Sequence, residues 1–403
     1  MQILVLNCGS SSVKYQLIEM DREQVICKGI VERIGTRDAI LWYQPTGRPE
    51  KREVRPVATH AQAIAALLST LMDPKIGVIR DRDDIAAVGH RTVHGGEAFA
   101  DSIQVDASVI EGIKACAVFA PLHNPHNLEG IKACMELLPG TPQVAVFDTA
   151  FHQTMPPTSY LYGLPYSLYE KMKVRRYGFH GTSHRYVAQR AAEELKRPID
   201  QLRIVTCHLG NGASVAAVKA GKSVDTSMGF TPLEGLVMGT RCGDIDPALV
   251  LHIMNVEGLS PQEMDELLNK KSGLLGLSGT SHDMREIQEQ AANGDKRADL
   301  ALDIYCYRIR KYIGAYAAAL GGVDAVVFTG GVGENSHVVR RRVCTGMEFL
   351  GIVLDEDANI RHSPLGQIRP DSPHISTGPT KVLVIPTNEE LVIARDTRRI
   401  LFG

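Results

Sequence analysis

Ile3-Leu-Val-Leu6 followed by Asn7-Cys-Gly9-Ser10-Ser11-Ser12-Val-Lys14 is an apolar strand running into a tight polar turn and out into a second strand. In the second half of the chain the design returns, where Ile204-Val-Thr-Cys207 leads into His208-Leu209-Gly210-Asn211-Gly212-Ala-Ser214-Val215. Glycine and hydroxyl groups in such a turn let backbone N–H groups approach phosphate oxygens, because no Cβ stands in the way. One Gly-rich turn means little. Two, in matching positions of two halves, predict a duplicated α/β fold that clasps a nucleotide between its halves.

The totals bound the remaining choices. A chain of 403 residues holds two or three domains with proper cores. Hydrophobic content of 44% and charged content of 22% are those of a soluble globular protein. A net charge of −2 argues against nucleic-acid binding through phosphate contacts. No run approaches the roughly 18 apolar residues of a membrane span, and the first residues lack the basic and apolar regions of a signal peptide. Eight scattered cysteines without a C-x-x-C pair read as reduced thiols of a cytoplasmic protein.

Strand-like runs recur at 2–6, 13–19, 25–31, 85–93, 143–148, 203–207, 214–218, 325–329 and 381–385. Between them lie helical stretches, at 60–72, at 183–196 behind a Thr182 or Ser183 cap, and at 299–320 before Gly321-Gly322. Ser260-Pro261-Gln-Glu263 is a capping box with proline at the first helical position, and Gly273 is expected to close that helix. A last helix is expected from Thr387 to Leu401, with Thr387 and Glu390 as its capping box. The domains follow: 1–149 with 386–403 returning to it, and 150–385, which would carry most nucleotide contacts and a dimer interface.

Several motifs offer chemistry, each with a plainer alternative. In the first turn Ser10, Ser12 and Lys14 suit phosphates and Asn7 a metal or a phosphate, or the turn is an ordinary Ser-rich hairpin. In His90-Arg91-Thr-Val93-His94-Gly-Gly96, strand alternation puts Arg91 and Val93 on one face. A guanidinium fork beside a small apolar wall suits a short alkyl carboxylate, unless Arg91 is only half of a structural ion pair. Asp148 ends an apolar strand; buried, it needs a cation nearby, or it is a helix cap. His180 projects between two glycines, or packs as a loop histidine. His126, in Pro-Leu122-His123-Asn-Pro-His126, reads as a turn and cap residue. Arg241 and Asp244 end a Gly-punctuated segment, and Thr-Gly330-Gly331-Val332-Gly333-Glu334-Asn335 has the form of an adenosine-binding turn. Glu390 is accounted for by capping, which leaves Glu389 as a metal-side carboxylate.

Taken together these segments resemble the acetokinase family from end to end. N-x-G-S-S-S-x-K, H-x-G-x-G-x-S, H-R-x-V-H-G-G, F-D-T-A-F-H, R-R-Y-G-F-H-G-T-S-H, M-G-T-R-C-G-D-I-D-P, F-T-G-G-V-G-E-N and T-N-E-E stand as that family has them. The resemblance implies the ATPase fold of actin and hexokinase, a homodimer, and ATP + acetate ⇌ ADP + acetyl phosphate with Mg2+, or Mn2+ in its place. It also implies metabolic coupling to a phosphotransacetylase. Carried over by position, Asn7 and Glu389 hold the metal and Arg91 binds acetate. Asp148, His180 and Arg241 are catalytic, and Val93, Leu122, Phe179 and Pro232 surround the methyl group. Ser10, Ser12, Lys14, His208, Leu209, Gly210, Asn211, Gly212, Asp283, Met284, Arg285, Gly331, Val332, Gly333, Glu334 and Asn335 contact ATP. Met284 departs from the aromatic residue of some members, and its thioether is expected to pack on the base.

Acetate is already ionised at neutral pH, so the nucleophile needs no general base. Asp148 is therefore expected to orient Arg241 or a metal-bound water. Selection against one extra methylene should be soft, about 1–3 kcal/mol. The rival readings are a propionate or other short-chain acyl kinase, and a non-enzymatic actin-like nucleotide-binding module.

Overall fold

A computed structural model describes residues 1–121, 123–362 and 372–403. The chain divides into two compact units, Met1–Phe151 with Asn388–Gly403, and His152–Thr387. Each unit is built on one sheet.

The first sheet contains β1 (Gln2–Cys8), β2 (Ser12–Glu19), β3 (Gln24–Glu32), β4 (Thr36–Pro45), β5 (Lys51–Val57), β6 (Ile85–Thr92), β7 (Ile103–Gln104) and β8 (Gln143–Phe147), in the order β5-β4-β3-β2-β1-β6-β8-β7. The second contains β9 (Arg203–Leu209), β10 (Ala213–Lys219), β11 (Lys222–Thr226), β12 (Ala325–Thr329) and β13 (Lys381–Val384), in the order β11-β10-β9-β12-β13. In both sheets the first strand pairs antiparallel with the second and parallel with a later one, which pairs parallel with the next. The core β3-β2-β1-β6-β8 thus repeats as β11-β10-β9-β12-β13, and the duplication expected from the two turns is present in the topology. This is the α/β ATPase fold. The parallel strands β8 and β12 are buried along their whole length, as strands covered on both faces must be.

Four strands escaped the reading of the sequence. β4, β5, β7 and β11 are short or charged, with Arg37, Lys51 and Arg52 among their residues, and they sit at the outer side of each sheet, where charge is tolerated. Helix ends also differ from expectation. The Gly181–Leu195 helix starts at His180, which takes a left-handed backbone (φ 57°) and makes no side-chain cap. Gly273 does not close the Pro261–Lys270 helix, which ends at Lys271; at φ 63° it opens the next helix, Gly273–Ser278. The long helix begins three residues early, at Lys296, because Asp295 accepts from the N–H groups of Arg297 and Ala298. The last helix is capped by Asn388, which accepts from Leu391 N–H, and not by Thr387. No described helix is long and apolar enough to cross a membrane.

Candidate active site

Within the first unit the chemistry gathers at the carboxyl ends of β1, β6 and β8, the edge where open α/β sheets bind ligands. Asn7 lies opposite Lys14 in the β1–β2 pair, and the turn closes through Gly9 N–H donating to Ser12 O at 2.8 Å. Arg91 is the next-to-last residue of β6, and Asp148 follows β8 directly. The Arg91 guanidinium donates from Nε at 3.1 and 3.2 Å and from Nη2 at 2.6 Å to the Asp148 carboxylate. Glu389 stands 3.8 Å from Nε. Nη1 has no hydrogen-bond partner among the described residues.

Asp148 is 1% exposed. Burial pushes its carboxyl above the usual carboxylate range, while the Arg91 charge and hydrogen bonds pull the other way. The guanidinium itself cannot give up its proton. Burial also opposes the charge on Arg91, but Asp148 and Glu389 outweigh it and raise that group. The cation that Asp148 was expected to need is supplied by Arg91. Glu390 joins the cluster: burial raises its carboxyl, with Glu389, Arg91 and Lys14 all acting on it.

The Asn124–Leu137 helix holds this edge in place. Asn127 accepts from Val93 N–H (3.1 Å) and donates to Cys8 O (2.9 Å), tying the ends of β1 and β6 together. Asn124 does the same for both backbone groups of His94. His123 precedes the helix and acts on Asp148 through charge. The sequence offered Asn124 only within a turn-forming segment and did not single out Asn127.

The second unit assembles a different site from the ends of β9 and β12 and the start of the Gly181–Leu195 helix. His180 Nδ1 lies 2.9 Å from Ser214 Oγ, and its ring stacks on His208 at 4.3 Å. Ser214 is itself 2.7 Å from His184 Nε2, whose Nδ1 is 2.7 Å from Thr206 Oγ1. Burial holds His184 well below the ordinary imidazole range, so it is neutral and serves as a support for Ser214. A Cβ at Gly212 would lie 3.5 Å from Arg241 Nη1 and 3.7 Å from His180 Nε2. Two groups that sequence could only name separately thus converge on one glycine. Arg241 is half-buried, its contacts are Pro232 O at 3.4 Å and Met238 Sδ at 3.8 Å, and no carboxylate pairs with it among the described residues. Burial alone lowers its guanidinium.

The other expected contacts fall on both sides of the line between site and scaffold. Gly330 takes φ 76°, packed on Leu209 O, and opens the short Gly330–Asn335 helix. Gly331 and Asn335 are exposed on it, and Glu334 accepts from Gly330 N–H at 3.1 Å. Val332 is half-buried and Gly333 buried. His208 and Leu209 end β9, where Gly210 N–H donates to Gly212 O (3.0 Å), and Asn211 is exposed at the tip. Asp283 caps the Met284–Ala292 helix and is forked by Arg285. Met284 is buried, and Arg285 is exposed. Phe179 is buried, with its carbonyl 3.0 Å from His152 Nε2. Val93 is buried, Pro232 half-buried, and Ser10, Ser12 and Lys14 face outward to differing degrees. Leu122 lies outside the described residues. Asp244, quoted beside Arg241, is structural: it accepts from Gly235 N–H, Arg308 and Tyr312.

Two glycine turns at strand ends, with an unpaired arginine and a tethered histidine beside one of them, define a phosphotransferase of the duplicated ATPase class. The chain belongs to the acetokinase family, whose sequence profile matches residues 2–395. It is 60% identical over 404 aligned residues to the acetate kinase of Thermotoga maritima, covering 100% of this chain and 99% of that one. With the acetate kinase of Carboxydothermus hydrogenoformans it shares 56% identity, again over 100% and 99% of the two chains. Among solved structures, the acetate kinase of Porphyromonas gingivalis superimposes with a TM-score of 0.93 at 51% identity, covering 99% of each chain. A propionate kinase from Francisella tularensis gives 0.92 at 41%, over 99% of this chain and 100% of that one.

Proposed function

We propose that the protein catalyses reversible transfer of the γ-phosphoryl group of ATP to acetate, giving acetyl phosphate and ADP by direct in-line transfer. The observation that carries this reading is Arg241: a half-buried guanidinium without a carboxylate, beside Gly212 and His180. Holding a cation partly out of water is unfavourable unless an anion arrives, and a phosphoryl group bears its charge on three oxygens. Arg241 and His180 would hold those oxygens as charge redistributes. Arg91, fixed by Asp148 through Nε and Nη2, would turn Nη1 to the acetate carboxylate. The substrate oxygen is already anionic, so Asp148 acts by positioning Arg91 and not by removing a proton. Ser10, Ser12, Lys14, the 208–212 turn, Asp283–Arg285 and the 331–335 segment would contact ATP.

Mg2+ fits the residues at the end of β1. The Asn7 amide has no hydrogen-bond partner in the protein among the described residues, and Glu389 presents a carboxylate. Both are hard oxygen donors, and Mg2+ keeps several waters and needs few protein ligands. Bound there with ATP, the ion would neutralise charge on the leaving phosphates.

Val93, Phe179 and Pro232, with Leu122, would contact the methyl group. A kinase for propionate is the second reading, supported by the propionate kinase at a TM-score of 0.92. A homodimer is supported by the Pro247–Glu257 helix of the second unit, which buries no residue and exposes Leu251 and Val256 at 65% each. The eight unbridged cysteines support a reducing, cytoplasmic location, and a phosphotransacetylase would exchange acetyl phosphate with acetyl-CoA. The test is turnover of Mg-ATP with acetate, propionate and butyrate in parallel, with acyl phosphate trapped as hydroxamate. Acetate-preferring product is expected. Preference for propionate would replace the substrate, and no acyl phosphate from any acid would overturn the reading.

A further inference from the structure

A second cluster lies in the first unit, where the His60–Leu71 helix meets the Asn124–Leu137 helix. His60 is 6% exposed, and His126 and Glu129, three apart, share one helix face. The two imidazoles stack with centroids 5.2 Å apart and planes inclined at 23°. His60 Nδ1 lies 2.9 Å from Glu129 Oε2, and His126 Nδ1 lies 3.3 Å from the same oxygen.

The other nitrogen of His60 settles what this means. His60 Nε2 is 2.7 Å from Gly9 O. A carbonyl oxygen only accepts, so Nε2 carries the hydrogen. In the neutral ring Nδ1 is then a bare lone pair, aimed at a carboxylate oxygen that is also a lone-pair donor. Two such groups at 2.9 Å repel unless a cation sits with them. That cation is either a proton or a metal ion.

We propose that His60 Nδ1, His126 Nδ1 and Glu129 form a binding site for a divalent transition-metal ion of the Zn2+ class. The three ligand atoms lie within 4.8 Å of one another. A tetrahedral Zn2+ with bonds of about 2.0–2.1 Å asks for ligand atoms about 3.3 Å apart. The His126–Glu129 spacing already meets this, and the closer pair opens by rotation of the Glu129 carboxylate, whose side chain is 55% exposed. The Gly9 carbonyl plays the part that backbone acceptors play behind metal-bound histidines, fixing ring and tautomer. A cavity of about 520 Å³, lined also by Ser10, Lys132 and Glu136, gives the ion an entry and room for a water ligand. Two imidazoles favour Zn2+, Co2+, Ni2+ or Cu2+ over Mg2+ or Ca2+, which take oxygen ligands. The site differs in ligand type from the oxygen donors Asn7 and Glu389, and the inference does not depend on the kinase reading. Through His60 it is one ring away from Gly9, so its occupant would bear on the first turn.

The test is equilibrium dialysis of the chelator-treated full chain against Zn2+ in millimolar Mg2+, which saturates the oxygen sites. It is run on the wild type, His126→Gln and Glu129→Gln, with Co2+ spectra in parallel. His126 and Glu129 stand at the helix surface, and thermal melts check that both variants fold. The wild type is expected to bind one more equivalent of Zn2+ than either variant, or to bind it at least tenfold tighter, and to show a visible Co2+ band that both variants lose. Equal stoichiometry and affinity in all three proteins would mean that a proton bridges the cluster, and the proposal would fall.

Discussion

If Asp148 works only by holding Arg91, the two residues should behave as one unit, and a double-mutant cycle reads this directly. Asp148→Asn keeps the shape but replaces one acceptor oxygen with a donor facing the guanidinium. Of the contacts at 2.6, 3.1 and 3.2 Å, an amide oxygen in the place of Oδ2 keeps at most the two at 2.6 and 3.2 Å, and without the carboxylate charge. Charge-assisted bonds contribute about 1.5–3 kcal/mol each, so the loss is about 3 kcal/mol, or about 10²-fold in kcat/KM for acetate. Glu389, 3.8 Å from Nε, becomes the stronger partner, and KM for Mg-ATP is expected to rise in the same variant as that carboxylate is drawn off. Arg91→Ala should cost at least as much. In the Arg91→Ala background, Asp148→Asn should then add less than about threefold, because nothing remains to be positioned. The assay is steady-state hydroxamate formation over a range of acetate and ATP concentrations, on variants whose thermal melts show a folded chain. Losses that multiply in the double variant, to about 10⁴-fold or more, would refute the reasoning and make Asp148 an independent acid or base.

Gly212→Ala places a methyl at ordinary contact distance from Arg241 and His180, so it should fold like the wild type yet lose about 10²-fold in kcat; full activity would remove that corner from the reaction. Gly330→Ala is the contrast. Its Cβ would stand 2.7 Å from Leu209 O at φ 76°, and a loss of about 1–3 kcal/mol of stability is expected in thermal or urea unfolding, an unchanged midpoint being the contrary result. Val93→Ala should raise the propionate-to-acetate ratio of kcat/KM by about tenfold; an unchanged ratio would take Val93 out of the substrate contacts. Burial lowers His90 and His152, one in each unit, to about 4. Their contribution to stability is complete above the unfolded value of about 6.5 and is lost as pH falls towards 4, by about 2 kcal/mol each at pH 5. The urea midpoint should drop between pH 7.5 and 5, and a flat profile would contradict neutral burial.

The duplication was legible because each turn interrupts a strand in the same way, but the strand order within each sheet came only with the structure. β4, β5 and β11 were not legible, because outer strands carry charges such as Lys51 and Arg52 that mask the two-residue period, and β7 is only two residues long. Motif residues were legible as residue types, but their partners were not. Asp148 showed its need for a cation, yet only the register of β6 beside β8 selects Arg91. Ser214 and His184 stood inside quoted motifs but had no role assigned to them, since their contacts arise only when β9, β10 and the Gly181–Leu195 helix meet. Glu390 was assigned to a cap that Asn388 in fact provides.

Arginine exposure and pairing show why the structure adds what the motifs could not. Arg176 is tied to Glu234 and to three backbone carbonyls; Arg340, fully buried, is satisfied by Asn359 and by the carbonyls of Gly333 and Glu334; Arg91 is forked by Asp148. Each of these stabilises a loop or a strand end, and each would be costly to unpair, since a buried charge without its partner loses several kcal/mol. Arg241 stands apart from them. It lies in the same kind of Gly-punctuated segment, is half removed from water, and has only a long contact to Pro232 O and one to a thioether. A guanidinium so placed is completed by an anion. Under the proposed function that anion is a phosphoryl group, small enough to sit beside Gly212 and able to accept from His180 as well.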